Sequence, residues 1–243
     1  MQLSRKHLLI AGVLGAGAAI GVSVYLWLRN RPKPGSKEYA KGLAAEQSRD
    51  FKVALRNYAA ASNAGHPEAC FRLALLKMYG FNVTRISYKQ AYTLICKAVD
   101  GGVKDATYWK GHLLAQPHLG ISSDRTEALK LWEVAAKRGD AFARFQLGSA
   151  RLAALQKEGQ PNAEEERKAA LALIQQGVQA LQTLAQRGNV HAQFFIGLAL
   201  QDSDAKASMN WLSQASEAQH ADAQWLVGKE LFVAYRRCAR TVC

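Results

Sequence analysis

The apolar residues between Asp124 and Gly148 recur every three or four positions, which is the period of an α-helix with one buried face. Asp124 and Glu127, three residues later, match the capping box that begins many helices. Gly139 interrupts the pattern, and a second apolar face follows it. The stretch therefore predicts two helices joined by a tight turn, and the first face consists of Ala128, Leu131, Trp132, Ala135 and Ala136.

The same pattern recurs along the chain with an anchor residue, an alanine four positions later, an aromatic residue at six and a small residue at nine. Successive anchors are 37, 37, 49 and 31 residues apart, and the last anchor is glutamine instead of glycine. We expect the small residues to let helices approach closely and the aromatic residues to form the core between units. The copies are Gly65, Ala69, Phe71 and Ala74; Gly102, Ala106, Tyr108 and Gly111; Gly139, Ala143, Phe145 and Gly148; Gly188, Ala192, Phe194 and Gly197; and Gln219, Ala223, Trp225 and Gly228.

These residues resemble the Sel-one-like repeat family, whose units are relatives of the tetratricopeptide repeat. The resemblance covers about Lys37 to Arg237 and implies an all-α fold, a right-handed α/α superhelical solenoid of about five helix pairs. The third copy carries the strongest likeness, at Gly120, Ile121, Asp124, Ala128, Trp132, Ala135, Ala136, Gly139, Ala143, Phe145, Leu147 and Gly148.

The connection between the third and fourth copies is 12 residues longer than the 37-residue spacing. The additional residues fall between Arg151 and Leu184, around a stretch rich in glycine, proline and asparagine. Because insertions in repeat arrays lie on one face, we expect two lengthened helices that project two to three turns beyond their neighbours. A partner could dock on that projection, or it could be an exposed tip without a role.

The first residues of the chain predict a transmembrane anchor. Leu8 to Leu28 carries no charge over about 21 residues, which is long enough to span a bilayer, and basic residues flank it on both sides. A cleaved signal peptide is the main alternative, because small residues at 16–18 offer a cleavage site. We assign 1–29 to the anchor, 30–36 to a linker containing Pro32 and Pro34, and 37–243 to the solenoid.

The orientation of this anchor is not decided by its flanks, because both are basic. A single-pass bacterial inner-membrane protein with a periplasmic solenoid is our first interpretation, since most proteins that resemble this family are bacterial. The alternative is an anchor in the outer mitochondrial membrane with the solenoid in the cytosol.

The charge balance indicates the chemistry of a partner. The chain has 32 lysine and arginine residues against 19 acidic ones, a net charge of +13 and a pI near 9.7. Such a balance favours acidic proteins, anionic lipids or nucleic acid, but no nucleic-acid-binding motif accompanies it. The resemblance places the first helix of each unit on the concave face. We predict a partner-binding groove there, with Arg72, Trp109, Lys110, Arg144 and Phe195 as contacts.

Catalytic, metal and cofactor motifs are absent from the sequence. His66, His191 and His220 lie beside the anchors, which suggests structural roles. In some secreted members of the family, cysteines eight residues apart form a disulfide; Cys70 occupies the second such position, but the first is Ser62. We therefore expect no enzyme activity, no cofactor, no bound metal and free thiols at Cys70 and Cys96.

The favoured function is a membrane-tethered scaffold or adaptor that binds a protein or peptide, acidic in character, and supports assembly or regulation of a membrane-associated complex. One alternative is a receptor-like adaptor on the outer mitochondrial membrane for cytosolic clients. Others are an enzyme subunit whose site follows no motif and a binder of anionic lipid. The sequence leaves the oligomeric state open.

Overall fold

The computed structural model describes residues 33–81, 84–155 and 163–241, and in these residues it contains eleven α-helices, one short 3₁₀ helix and no strand. The 3₁₀ helix is Pro117–Leu119. The helices are α1 (Ser36–Gln47), α2 (Phe51–Asn63), α3 (Pro67–Tyr79), α4 (Tyr88–Asp100), α5 (Ala106–Leu114), α6 (Arg125–Lys137), α7 (Ala141–Leu155), α8 (Ala163–Gln186), α9 (Val190–Leu200), α10 (Ala205–Glu217) and α11 (Ala221–Thr241).

The helices form five consecutive pairs, from α1 with α2 to α9 with α10, and α11 follows the last pair. Each helix packs mainly against its neighbours in the sequence, as in a repeat array. The prediction of an all-helical chain with about five helix pairs is confirmed. Asp124 begins α6 as predicted, because its side chain accepts a hydrogen bond from the backbone N–H of Glu127 at 2.9 Å.

The anchor glycines end the second helix of each pair. Gly65, Gly102, Gly139 and Gly188 have φ angles of +87°, +82°, +91° and +83°, a left-handed conformation that glycine adopts without a steric penalty. Gln219 has the same conformation, with a φ of +66°, although it carries a side chain. The fifth unit thus keeps the turn geometry after it has lost the glycine.

The small residues nine positions after the anchors allow close helix packing. A Cβ atom added to Gly111 would lie 2.8 Å from the indole nitrogen of Trp132, and one added to Gly197 would lie 2.6 Å from Leu212. A Cβ atom at Gly148 would lie 2.7 Å from the backbone oxygen of Ala170. The two helices of each of these pairs therefore touch where the first one has no side chain.

Four of the five predicted core aromatic residues pack inside the solenoid, but the prediction for Trp225 is wrong. Phe71, Tyr108 and Phe194 are buried and Phe145 is half-buried, whereas Trp225 is 65% exposed. Trp225 lies on α11, the last helix that the structure describes, so no second helix of its own unit covers it. The position repeats in the sequence, but its burial depends on a following helix.

The lengthened connection adds length mainly to one helix. The second helix of the fourth pair, α8, has 24 residues and is about 36 Å long at 1.5 Å per residue, whereas α2, α4, α6 and α10 have 13 residues each. Its partner α7 has 15 residues, against 9, 11 and 13 in α5, α9 and α3. The expected lengthening is clear for α8, and for α7 it stays a prediction, because α7 is described up to Leu155 and residues 156–162 lie outside the described part.

The predicted anchor lies in residues 1–29, which are outside the described residues. Among the helices of residues 33–241 that the structure describes, none combines the length and the hydrophobicity needed to cross a bilayer. The first helix begins at Ser36, directly after the predicted linker prolines.

A disulfide between helices α2 and α3 should be obtainable with one substitution. The hydroxyl oxygen of Ser62 lies 3.1 Å from the sulfur of Cys70, which is a buried free thiol. We expect the new thiol of Ser62→Cys to form a disulfide with Cys70. This bond should raise the free energy of unfolding by about 2 kcal/mol, because it closes a short loop and so reduces the conformational entropy of the unfolded chain. Thiol titration and urea unfolding with and without reductant test this. A variant that stays fully reduced under oxidising conditions contradicts it.

Candidate functional site

The first helices of successive units share one inner face, and their side chains surround a cavity of about 520 Å³ there, which we call cavity A. Residues from α3, α5, α7 and α8 and from the start of α9 contribute to it. Its apolar wall consists of Phe71, Leu75, Trp109, Ala141, Phe142, Ala180 and Leu184. Its polar side chains are Arg72, Asp105, Asp140, Thr183, Asn189 and His191.

A second cavity of about 530 Å³, cavity B, lies beside cavity A and has a different charge. The two cavities share Arg72, Leu184, Asn189 and His191. Cavity B adds the α1–α2 turn and the segment before α9, so three arginines and one glutamate line it. The charged residues are Glu46, Arg49, Arg72 and Arg187.

The glutamate in cavity B is already engaged by two neighbours. One oxygen of Glu46 lies 3.1 Å from the guanidinium of Arg72, and the other accepts a hydrogen bond from the hydroxyl of Tyr58. Burial and then the Glu46 charge raise the pKa of Tyr58. Although burial by itself lowers the pKa of Arg72, Glu46 raises it above its usual value. These contacts fix Arg72 between the two cavities.

Cavity A carries its negative charge at the start of α7. The carboxylate of Asp140 accepts a hydrogen bond of 2.8 Å from the backbone N–H of Ala143. Burial raises the pKa of Asp140 to about 6, and the nearby Asp105 also raises it, whereas the hydrogen bond to Ala143 lowers it. Asp140 thus titrates near neutral pH on the wall of the cavity.

Aromatic and histidine rings pack together across the inner face and form part of the walls of both cavities. The ring of Tyr79, at the end of α3, lies 4.6 Å from that of His191 and 4.2 Å from that of His220, which stand at the starts of α9 and α11. Trp109 lies 5.5 Å from His191 by the same centroid measure. We call this set the ring cluster; its members are Tyr79, Phe81, Trp109, Phe142, His191, Phe195 and His220.

The histidines of this region are held neutral by burial. His220 is 0% exposed, and burial lowers its pKa to about 3. Burial also lowers the pKa of His112 to about 4, and that of His191 falls well below its usual value, for which His220 is the second cause. Neither ring nitrogen of His220 has a hydrogen-bond partner among the described residues, and the same is true of Nδ1 of His191.

The five predicted contact residues do not come together at one site. Arg72 and Trp109 both line cavity A, although Trp109 is only 3% exposed. Phe195 is 4% exposed and lines a third cavity of about 320 Å³ on the other side of the ring cluster. Lys110 and Arg144 line none of these three cavities.

Helix geometry explains why the five residues separate. Arg72, Trp109 and Phe195 all stand seven positions after an anchor glycine, so they share the inner face. Lys110 stands eight positions after its anchor and Arg144 five positions, which turns them by about 100° and 200° from that face. Arg144 instead donates a hydrogen bond to the backbone oxygen of Ala136 at 3.4 Å.

The sequence interpretation missed several residues of the cavities. Asp105, Phe142 and His191 stand three positions after their anchors, and therefore on the same face as the residues at position seven. This spacing would have identified them. Arg49 and Arg187 lie in turns and had no such signal. Among the described residues, no three histidine, cysteine or carboxylate side chains are placed to hold a metal ion.

A model of the Sel1 repeat family matches residues 35–66, 67–103, 107–140 and 190–220, which together make up more than half of the chain. The matched stretches omit residues 141–189, which contain α7 and the long helix α8. No curated protein matches the sequence.

Several solved structures are similar to this chain. A protective antigen of uropathogenic Escherichia coli strains that displays an SLR fold is 19% identical, with a TM-score of 0.44, over 82% of this chain and 42% of that one. A Sel1 repeat protein from Oxalobacter formigenes is 25% identical, with a TM-score of 0.44, over 82% and 56%. A putative sel1 repeat protein from Klebsiella pneumoniae is 18% identical, with a TM-score of 0.47, over 81% and 98%. The chain thus spans about half the length of the first two proteins.

Proposed function

Since the chain belongs to the Sel1 repeat family, we propose that it is a membrane-tethered adaptor that binds a protein partner through the inner face of its solenoid. Cavities A and B carry this proposal, because they are two adjoining concave spaces of about 520 and 530 Å³ that combine apolar walls with charged side chains. Equilibrium binding of that partner is the function that we propose.

The membrane tether is supported by the sequence of residues 1–29, with 30–36 as the linker and 37–243 as the solenoid. Tethering would concentrate the inner face near other membrane proteins and so favour a role in assembling or regulating a membrane complex. We propose a single-pass protein of the bacterial inner membrane with a periplasmic solenoid. A reporter fused after Cys243 that is active only in the cytosol would contradict this orientation and favour the mitochondrial alternative.

A bulky residue at the rim of cavity A should block the partner. Thr183 is exposed and lines the cavity, so Thr183→Trp should fill part of it without disturbing the core. We expect loss of at least nine tenths of the partner captured by in-cell crosslinking. The matched control is Gln182→Trp, because Gln182 is also exposed on α8 but lies outside the cavities. Equal capture by both variants and the wild-type chain would refute binding at the inner face.

A further inference from the structure

We propose that cavities A and B together bind the free C-terminal end of a partner polypeptide, with its carboxylate in cavity B and its last, apolar side chain in cavity A. This inference rests on the proposed function and adds the feature of the partner that is recognised. It is carried by the charges of cavity B, by the wall that the cavities share and by the closure of the inner face.

Cavity B has positive charge available for a ligand. Glu46 is engaged by Arg72 and Tyr58, as described above. Arg49 and Arg187 are exposed and form no ion pair with another described residue. Two guanidinium groups without a partner beside a neutralised pair attract an anion, and planar guanidinium groups match the geometry of a carboxylate.

The backbone at Arg49 supports a role for its side chain. Arg49 ends the turn after α1 with a φ of +60°, a left-handed conformation that is uncommon for a residue with a side chain. Of the five later turns of this kind, four carry glycine, at Gly65, Gly102, Gly139 and Gly188, and the last carries Gln219. The first turn instead carries an arginine at the rim of cavity B, and such departures from backbone preference cluster at functional sites.

The arrangement of the two cavities matches the two groups on the last residue of a polypeptide. Arg72, Leu184, Asn189 and His191 line both cavities, so the arginines of cavity B adjoin the apolar wall of cavity A. In a C-terminal residue the carboxylate and the side chain are attached to the same carbon atom. One residue can therefore place its carboxylate beside the arginines and its side chain between Trp109 and Phe142.

The ring cluster favours a chain end over a segment that passes through. Tyr79 and Phe81 on one side contact His191 and His220 on the other, so the inner face is closed beyond cavity A. A segment that continued along the inner face beyond cavity A would meet this wall. The arginines of cavity B would repel the ammonium group of an amino terminus, so this cavity favours a carboxylate.

The test uses the immobilised full chain in detergent and two display libraries with the same seven randomised residues. One library ends in a free carboxylate directly after those residues, and the other continues with a fixed polar extension. We expect enrichment only from the free-ended library, with leucine, isoleucine, valine or phenylalanine at the last position. An enriched peptide should bind at least tenfold more weakly as its C-terminal amide, measured by fluorescence anisotropy.

The variants locate the site. The double variant Arg49→Gln, Arg187→Gln should bind the peptide with a free C-terminal carboxylate as weakly as the wild-type chain binds the C-terminal amide. Its affinity for the amide should equal that of the wild-type chain. The control pair Arg56→Gln and Arg138→Gln makes the same charge change at exposed arginines outside the cavities and should keep the tenfold difference.

Each other result overturns the inference. Enrichment from the extended library alone leaves the adaptor function standing but removes recognition of a chain end. Basic last residues in place of apolar ones would mean that Asp105 and Asp140 select the side chain, which contradicts the assignment of cavity A. Absence of enrichment from both libraries also rejects the inference, and the Thr183→Trp crosslinking experiment then decides the adaptor function separately.

Discussion

Replacement of Gly148 by valine should lower the free energy of unfolding by about 3 kcal/mol, which is the upper part of the range for overpacked cores. A Cβ atom there would lie 2.7 Å from the backbone oxygen of Ala170 and 2.8 Å from the side chain of Ile174. A backbone oxygen cannot rotate away, so α7 and α8 must separate. Gly177 makes the reciprocal contact, since a Cβ atom at this position would lie 2.6 Å from the backbone nitrogen of Phe145.

Gly228→Val is the matched control for this substitution. Gly228 occupies the same repeat position on α11, but a Cβ atom added there meets nothing within 4 Å. Valine has a slightly higher helix propensity than glycine, so this variant should be neutral or more stable by about 0.4 kcal/mol. Urea unfolding of both variants beside the wild-type chain measures the difference. Equal losses in the two variants would show that close packing is not what requires Gly148.

The two substitutions also show what a repeat pattern predicts and what it cannot. The spacing of Gly111, Gly148 and Gly197 correctly predicts where neighbouring helices touch, because those contacts lie within one unit and depend on local periodicity. Gly228 and Trp225 have the same spacing, but no helix of the described residues covers them. A pattern identifies the face of a helix, and the number of units that follow decides whether that face is buried.

The inner face was predictable in part. The position of Trp109 one residue after a core aromatic indicated a different face, and the structure places it on cavity A. The ring cluster was not predictable, because Tyr79 meets His191 and His220, which are more than a hundred residues away in the sequence. Such contacts depend on the curvature of the whole array, which sums small rotations between units.

The same curvature explains the polar residues in the cavities. Arg49 and Arg187 belong to turns in different units, and only the closing of the array brings them to one cavity. The net charge of +13 predicts an anionic partner, which stays a prediction, and it does not indicate where such a partner would bind. Two of the basic residues chosen from the sequence, Lys110 and Arg144, lie on other faces of their helices.

Acidification should unfold the protein through its buried histidines. A histidine that has a pKa of about 6.5 in the unfolded chain and stays neutral in the folded state costs about 2 kcal/mol at pH 5. His220, with a pKa of about 3, and His112, with a pKa of about 4, meet this condition. The pKa of His191 is lowered by burial in the same direction. Above pH 6.5 these histidines are neutral in both states and the free energy of unfolding is at its full value. As the pH falls below 6.5, the unfolded chain binds the protons first and the free energy of unfolding decreases.

The carboxyl groups act in the opposite direction. Burial raises the pKa of Asp140 to about 6, so this group binds a proton in the folded state before it does so in the unfolded chain. Between pH 7.5 and 5 it stabilises the fold by about 1 kcal/mol. Burial raises the pKa of Asp222 as well, so this group also stabilises the fold as the pH falls. The histidines outweigh these groups: about 2 kcal/mol each from His220 and His112, less about 1 kcal/mol from Asp140, gives an expected net loss of about 3 kcal/mol over this interval.

Urea unfolding of the full chain in detergent between pH 7.5 and 5 measures this loss, and His220→Phe isolates one histidine. The variant should be at least as stable as the wild-type chain at pH 7.5, because both ring nitrogens of His220 lack partners among the described residues. At pH 5 it should retain about 2 kcal/mol more of its stability than the wild-type chain does. Phe194→Leu alters the ring stacked 4.5 Å from His220 without removing a titratable group, so it should lower stability equally at every pH. The opposite result is that His220→Phe loses as much stability as the wild-type chain between pH 7.5 and 5. In that case His220 binds its proton in the folded state, and the ring cluster must open to admit it.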